Sequence, residues 1–537
     1  MARAAHDAWW KQAVFYQIYP LSFADSNADS YGDLDGVISR LDYLSDTLGV
    51  DAIWLSPFFR SPMKDWGYDI SDHTDVDPLF GDLEAATRLF EAVHERGMRV
   101  IVDYVINHTS DQHPWFLESK SSRDNPKRDW YVWREGRGDE PPNNWVSVFS
   151  GPSWSLDPTS GQWYRHTYLS EQPDLNWRNP EVVEAMFDVA RFWLDLGVDG
   201  FRVDAAHQMM KDPQERDNPP APPDYPRPYK DMGEYDGFIH LYDFGHPEVH
   251  DIHRRFRAVA DEYDREIVTV GEIHIFDLPE WASYYGENFD QLHMPFNFHL
   301  MAAEWNAASL RAAIEAVLWN VPVGGWTNWT LGNHDEIRVA SRLPPGHERL
   351  AALLLLTLRG TPFLYYGDEL GMPQVVVTAG EARDPWGRNV EWLSRDGART
   401  PMQWSDAPNA GFCPPNCDPW LPVGPEFATV NVSHELDDPS SILNMYRRLI
   451  QLRRKHTALN LGSFLAHPSS TEDVLAYRRE SDSETLTVVL NFAAGEHTVR
   501  VGRGEVIFST SDPDRNGRLL QDEVSLAACE GVVISHV

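Results

Sequence analysis

Several short apolar runs end in acid. Asp103 closes the run at 98–105, Asp204 the run at 198–205 and Glu272 the run at 266–273, while Asp335 follows His334 at the end of 326–334. Carboxylates brought within a few ångströms repel and raise one another's pKa. Such a gathering makes sense where one acid stays protonated while another is ionised, the arrangement that cleaves a glycosidic bond. Arg202 stands two residues before Asp204, so in a strand both side chains face one way. Its permanent charge is expected to hold Asp204 ionised, as a nucleophile requires. A single acid ending a strand is more often a turn-former or a helix cap. A set in register, with histidines and an arginine, favours chemistry.

Such residues need a scaffold that brings strand ends together. Runs at 13–20, 50–57, 98–105, 198–205, 266–273, 289–298, 326–334 and 361–369 are apolar on both faces, as strands buried on two sides must be. Helical patterns lie between them. Residues 181–196 place Val182, Met186, Val189, Trp193 and Leu196 on one stripe, starting after Asn179-Pro180 and stopping at Gly197. Residues 82–97 and 347–360 likewise end at glycines. Eight strands alternating with helices predict an α/β fold, a (β/α)8 TIM barrel, whose active sites sit at the C-terminal ends of the strands. A doubly wound open sheet is the rival, but no glycine-rich phosphate fingerprint follows the first strand.

Two gaps are too long for ordinary loops. The first predicts a small inserted domain after strand 3, at 107–179. The second, 207–245, holds a proline-rich excursion at 217–228, and another excursion runs from about 373 to 421. After a helix at 441–456 the pattern becomes all-β, with strands at 462–468, 474–479, 485–492, 498–501, 505–509 and 532–537, a C-terminal antiparallel β-sandwich. The expected division is 1–106 with 180–460 as barrel, 107–179 as insert and 461–537 as sandwich.

The net charge of −36 repels phosphate backbones and anionic lipid, which argues against nucleic-acid and membrane partners. Three cysteines, Cys413, Cys417 and Cys529, cannot build a disulfide framework, and no further ligands accompany Cys413 and Cys417 for zinc. Residues 1–11 contain no apolar leader core and no run of 18 apolar residues occurs, so a cytoplasmic location is expected. Asp25, Asn27, Asp29, Tyr31 and Asp33 alternate along one polar loop in the style of a calcium site, although Ser30 and Gly36 depart from an EF-hand. The alternative is a polar turn with Asp33 near the start of a helix.

The blocks Tyr16-Gln-Ile-Tyr-Pro-Leu-Ser-Phe23, Asp103-Tyr-Val-Ile-Asn-His108, Gly200-Phe-Arg-Val-Asp204, Gly271-Glu272 and Asn333-His-Asp335 resemble those of the α-amylase superfamily, glycoside hydrolase family 13. Gln172-Pro-Asp-Leu-Asn176, the block at 360–369 and Ala398-Arg-Thr-Pro-Met-Gln-Trp404 resemble its α-glucosidase and oligo-1,6-glucosidase branch. The resemblance runs over essentially the whole chain. It implies a retaining enzyme, with Asp204 as nucleophile, Glu272 as general acid and base, and Asp335 as the carboxylate that steadies the transition state. It further implies that Asp65, Tyr68, His108, His334 and Arg399 contact the sugar at the cleavage point, and that Phe149 and Tyr168 wall the pocket. An aspartate at 65 closing the non-reducing end implies exo-attack on short substrates.

The resemblance also implies small α-glucosides as partners, transglucosylation as a side reaction, no catalytic cofactor, and a structural Ca2+ or Mg2+ in the loop at 25–33 with Tyr31 giving its carbonyl. The chain is expected as a monomer or homodimer. Ala205, just after Asp204, implies α-1,4 preference, since valine there accompanies α-1,6 preference in this branch. Trehalose synthase, oligo-1,6-glucosidase, sucrose hydrolase and sucrose isomerase activities share most of these blocks. A catalytically inactive relative, similar to the ectodomain heavy chains of amino-acid transporters, lacks the full acid set kept here.

Overall fold

In the computed structural model, residues 8–227 and 229–536 are described. Residues 1–7 of the stretch read for a leader, Pro228 and Val537 lie outside them. Eight parallel strands form one sheet: β1 (Phe15–Ile18), β2 (Ala52–Leu55), β3 (Arg99–Val105), β4 (Gly200–Asp204), β5 (Val268–Glu272), β6 (Met294–Phe296), β7 (Asn328–Thr330) and β8 (Thr361–Tyr365). Backbone ladders run β6-β5-β4-β3-β2-β1-β8-β7. The remaining seam, β6 to β7, is sewn by side chains: Asn297 N–H donates to Asn328 Oδ1 at 2.9 Å, and Asn328 Nδ2 donates to the Pro295 carbonyl at 3.2 Å. The sheet is therefore a closed TIM barrel.

Helices cover the sheet because their apolar stripes need it. The helix Pro180–Asp195 starts where its capping residue predicts, with Asn179 Oδ1 accepting the Glu181 N–H at 2.9 Å. Its Val182, Met186, Val189 and Trp193 are buried. The helices Leu83–Glu95, Glu348–Thr357 and Ile442–Lys455 match the predicted stretches within a few residues.

Between β3 and β4 the chain builds a three-stranded antiparallel sheet from Trp133–Arg134, Trp154–Asp157 and Gln162–Arg165. Beyond residue 462 the chain is antiparallel. Ser463–Ala466, Val474–Glu480, Thr485–Asn491, Gly531–His536, Gly504–Ser509 and Leu519–Leu520 lie in that order in one sheet, covered by the pair His497–Arg500 and Glu523–Leu526. Alternation assigns the two faces. Val474, Ala476 and Val489 pack against Val499 and Val524 inside the sandwich. Leu475, Tyr477 and Val488 join the main core with Leu350 and Leu353 of the barrel. No helix among the described residues is long and apolar enough to cross a membrane.

Candidate active site

The registers of three neighbouring strands decide the site. Asp103 on β3 lies opposite Arg202 on β4, and Gly271 on β5 lies opposite Val203, so Asp204 and Glu272 end adjacent strands together. Arg202 Nη1 donates to Asp103 Oδ1 and to Asp204 Oδ1, each at 2.6 Å, while Nη2 meets Glu272 Oε1 at 2.9 Å. The Trp54 ring covers this guanidinium at 5.1 Å, and Trp54 Nε1 donates to Asp103 Oδ2 at 2.9 Å. One arginine thus serves three buried acids.

Ala205 has φ of 45°, the left-handed region, and this turn aims its N–H at Glu272 Oε2, 2.8 Å away. His274 Nε2 lies 3.1 Å from Glu272 Oε1. Burial works to raise the pKa of Glu272, but Arg202 and His274 outweigh it and hold the group low. Asp204 goes the other way: burial raises it, Arg202 opposes, and the charges of Glu272 and Asp103 add to the rise. Arg202 lowers Asp204, as expected, but does not outweigh the burial and the neighbouring acids. Its charge is divided among three carboxylates, and Glu272 has more donors than Asp204. Asp103, buried beside the same arginine, is raised to about 6.

Across the pocket, Asp335 is more exposed, at 24% of its side chain. Arg399 Nη2 reaches its Oδ1 at 2.8 Å, Arg395 Nη1 the same atom at 3.3 Å, and His334 Nε2 its Oδ2 at 3.3 Å. Burial pushes toward the neutral acid, but His334, Arg395 and Arg399 hold Asp335 well below the usual carboxylate range. Burial lowers His334 itself to about 3, with the charge of Asp335 opposing. Gln17 Nε2 donates to His334 Nδ1 at 2.8 Å, which leaves Nε2 to carry the hydrogen toward Tyr68 Oη at 2.7 Å and Asp335. The Tyr68 ring stacks on His334 at 5.3 Å with an interplanar angle of 2°.

Hydrogen bonds and ring contacts link the remaining expected residues into one cluster. Asp65 accepts from Arg395 Nη2 at 2.7 Å and from Gln172 Nε2 at 3.1 Å. His108 Nε2 is 3.0 Å from the Tyr68 carbonyl, and its ring meets Tyr168 edge-on at 5.3 Å. Phe149 lies between Tyr168, 5.5 Å away, and Trp386, 5.1 Å away, under the Arg395 guanidinium. Insert and barrel are tied by Lys211, whose Nζ is 2.8 Å from both Asp174 Oδ2 and Asn107 Oδ1.

Arg395 was not foreseen. It joins Asp65, Asp335 and Asp384, the last at 2.6 Å, so that one guanidinium ties three acids together. Its only sequence signal is the excursion in which it lies. His274 and Lys211 were also missed, because neither belongs to a spacing pattern.

The polar loop at 25–33 folds on its own backbone. Asp25 accepts from the N–H groups of Asn27, Ala28 and Ser30, Asn27 from Asp29, and Asp29 from Tyr31. Asp33 caps the helix Leu34–Ile38 through the Gly36 N–H and binds Ser26, so the helix-start reading of Asp33 holds. The donor set is oxygen throughout, which suits a hard cation. Among the described residues no three His, Cys, Asp or Glu side chains converge as a metal cage.

With this geometry in view, the comparisons are decisive. The alpha amylase catalytic-domain model matches residues 17–462, and a domain of unknown function (DUF3459) matches 465–533. The chain belongs to the α-amylase family of glycoside hydrolases. It is 40% identical to a probable alpha-glucosidase of Rhizobium meliloti (strain 1021), over 90% of this chain and 89% of that protein. It is 37% identical to an oligo-1,6-glucosidase of Parageobacillus thermoglucosidasius, over 94% of each. The crystal structure of an alpha-glucosyl transfer enzyme, XgtA, superposes with a TM-score of 0.92 at 40% identity, covering 99% of this chain and all of that one. The α-amylase-family assignment makes this chain a glycosidase of the α-glucosidase type, working with side chains alone at its reacting centre.

Proposed function

We propose that the chain is a retaining, exo-acting α-glucosidase that hydrolyses terminal α-glucosidic bonds of short maltose-like or sucrose-like substrates, with α-1,4 preferred over α-1,6. The observation that carries this reading is Arg202 bridging Asp204 and Glu272 on adjacent strands. Asp204 attacks the anomeric carbon as Glu272 protonates the departing oxygen, giving a β-glucosyl ester. Water, activated by Glu272, then releases α-glucose. A shared guanidinium keeps the two carboxyls close, and a gap of about 5–5.5 Å selects retention because no water fits between acid and sugar.

The pair holds one proton, and it must lie on Glu272 when the leaving oxygen departs. Arg202 contacts both partners, so moving the proton from Asp204 to Glu272 leaves its own bonds in place. The apparent pKa values then belong to the pair. Asp335, steadied by Arg395 and Arg399, binds sugar hydroxyls beside His108 and His334. Arg395, Asp65 and Asp384 close the far end, which supports exo-attack. An alcohol or sugar that displaces water yields a transfer product.

Steady-state rates on maltose and isomaltose, with the glucose anomer first released from a nitrophenyl α-glucoside followed by NMR, test the reading. Maltose is expected to be the faster substrate and α-glucose the first product. Faster isomaltose cleavage overturns the linkage, and β-glucose overturns retention.

The reading extends to the division 1–106 with 180–460, 107–179 and 461–537, and to a cytoplasmic enzyme acting as monomer or homodimer. The free thiols of Cys413, Cys417 and Cys529 support that compartment. The loop at 25–33 is proposed to hold Ca2+ or Mg2+ as a structural ion, with Asp25, Asn27, Asp29, Asp33 and the Tyr31 carbonyl as ligands. Chelation is expected to lower Tm by a few degrees, reversed by Ca2+. An unchanged melting curve removes the ion.

A further inference from the structure

Glu272 has to be an acid in one half of the proposed reaction and a base in the other. Two of its three partners, the Arg202 guanidinium and the Ala205 N–H, can only donate. A carboxyl surrounded by donors is comfortable only when charged. His274 differs. An imidazole nitrogen donates in one tautomer and accepts in the other.

The placing of His274 suits that exchange. Its ring lies flat on Phe298, with centroids 4.1 Å apart and planes within 10°, and Tyr229 meets it at 5.6 Å. Stacking thus fixes the plane without specifying which nitrogen holds the hydrogen. A third of the side chain is exposed, so water can exchange that hydrogen, while Glu272 is buried.

We propose that His274 is a positioning residue that holds the Glu272 carboxyl through both halves of the reaction, donating to it when charged and, when neutral, accepting its O–H until the leaving oxygen of a bound substrate takes that hydrogen bond over. The inference rests on the reading of Glu272 as general acid and base. The bond to the charged form is the stronger of the two, so its net effect favours the ionised carboxyl. The other groups facing this pair are Arg202 and Asp204 from β4, Asp103 from β3, Asp335 after β7, Tyr168, Tyr229, and His207, whose ring is 6.4 Å from His274 and whose imidazole His274 helps to hold low.

The test is the pH profile of kcat/KM on maltose, whose sugar leaving group needs the proton of Glu272, corrected for folded protein. His274→Phe keeps the stack and removes the bond, so the alkaline limb is expected to move up by about half a unit to one unit. His274→Gln, whose amide both donates and accepts, is expected to restore the wild-type limb. A Phe profile that overlays wild type, or a Gln profile displaced as far as Phe, overturns the proposal. If the Phe variant does not fold, His274→Leu is read in its place. Glu272→Gln separates the two levels: wild-type rates in that variant would remove the acid assignment itself, whatever His274 does.

Discussion

Asp204→Ala is expected to abolish turnover of maltose and of nitrophenyl α-glucoside, by four decades or more on the order expected for loss of a covalent nucleophile. The fold should not suffer. Asp204 is buried beside Asp103 and Glu272, and its removal leaves Arg202 with two partners and one repulsion fewer. Three buried acids share one guanidinium, and taking one away also removes the cost of burying it, so a Tm equal to or above wild type is expected. The cavity left by the carboxylate admits a small anion. Azide should therefore restore part of the rate on the nitrophenyl substrate and yield a β-glucosyl azide. Full activity in the alanine variant, or α-azide as product, would remove Asp204 from its role.

Glu272→Gln should split substrates by leaving group. General acid catalysis contributes about 10²–10⁴-fold, and all of it is needed to expel a sugar alkoxide from maltose. A nitrophenolate leaves without a proton, so its first step is largely spared. The second step still needs a base, so the glucosyl ester should accumulate and appear as a burst of nitrophenol followed by slow turnover. Rapid-mixing absorbance measures both phases. Equal losses on the two substrates, with no burst, would show that Glu272 does not protonate the leaving oxygen.

Most of the barrel was legible because a strand buried on both faces has a sequence signature of its own. Residues 98–105 became Arg99–Val105 almost unchanged, whereas 361–369 shortened to Thr361–Tyr365, its end turning into the short helix Asp368–Leu370. β6 and β7 are far shorter than their apolar runs, three residues each, because Asn297 and Asn328 spend side chains on closure where a ladder would continue. In the sandwich, Leu519–Leu520 and Glu523–Leu526 went unseen: Asp512, Asp514, Arg515, Asn516 and Asp522 around them read as loop. At the site, strand ends announced Asp103, Asp204 and Glu272, since position along a strand is encoded locally. Arg395 and His274 act through partners that folding alone brings near, Arg395 on Asp65 from 330 residues away. The sharing of Arg202 among Asp103, Asp204 and Glu272 was illegible for the same reason. Sequence shows that an arginine is near but not how many acids divide it.

The side-chain seam between β6 and β7 has a mechanical consequence. Asp103, Asp204 and Glu272 ride on three strands locked by continuous backbone ladders and must shift as one rigid block. Asp335 belongs to the opposite bank, joined to that block by two asparagines across the seam and by the long way round through β8, β1 and β2. Compliance in the ring of strands is thus concentrated on one line. A pyranose that widens as it flattens meets stiffness along its reacting edge and give along the edge that Asp335 holds.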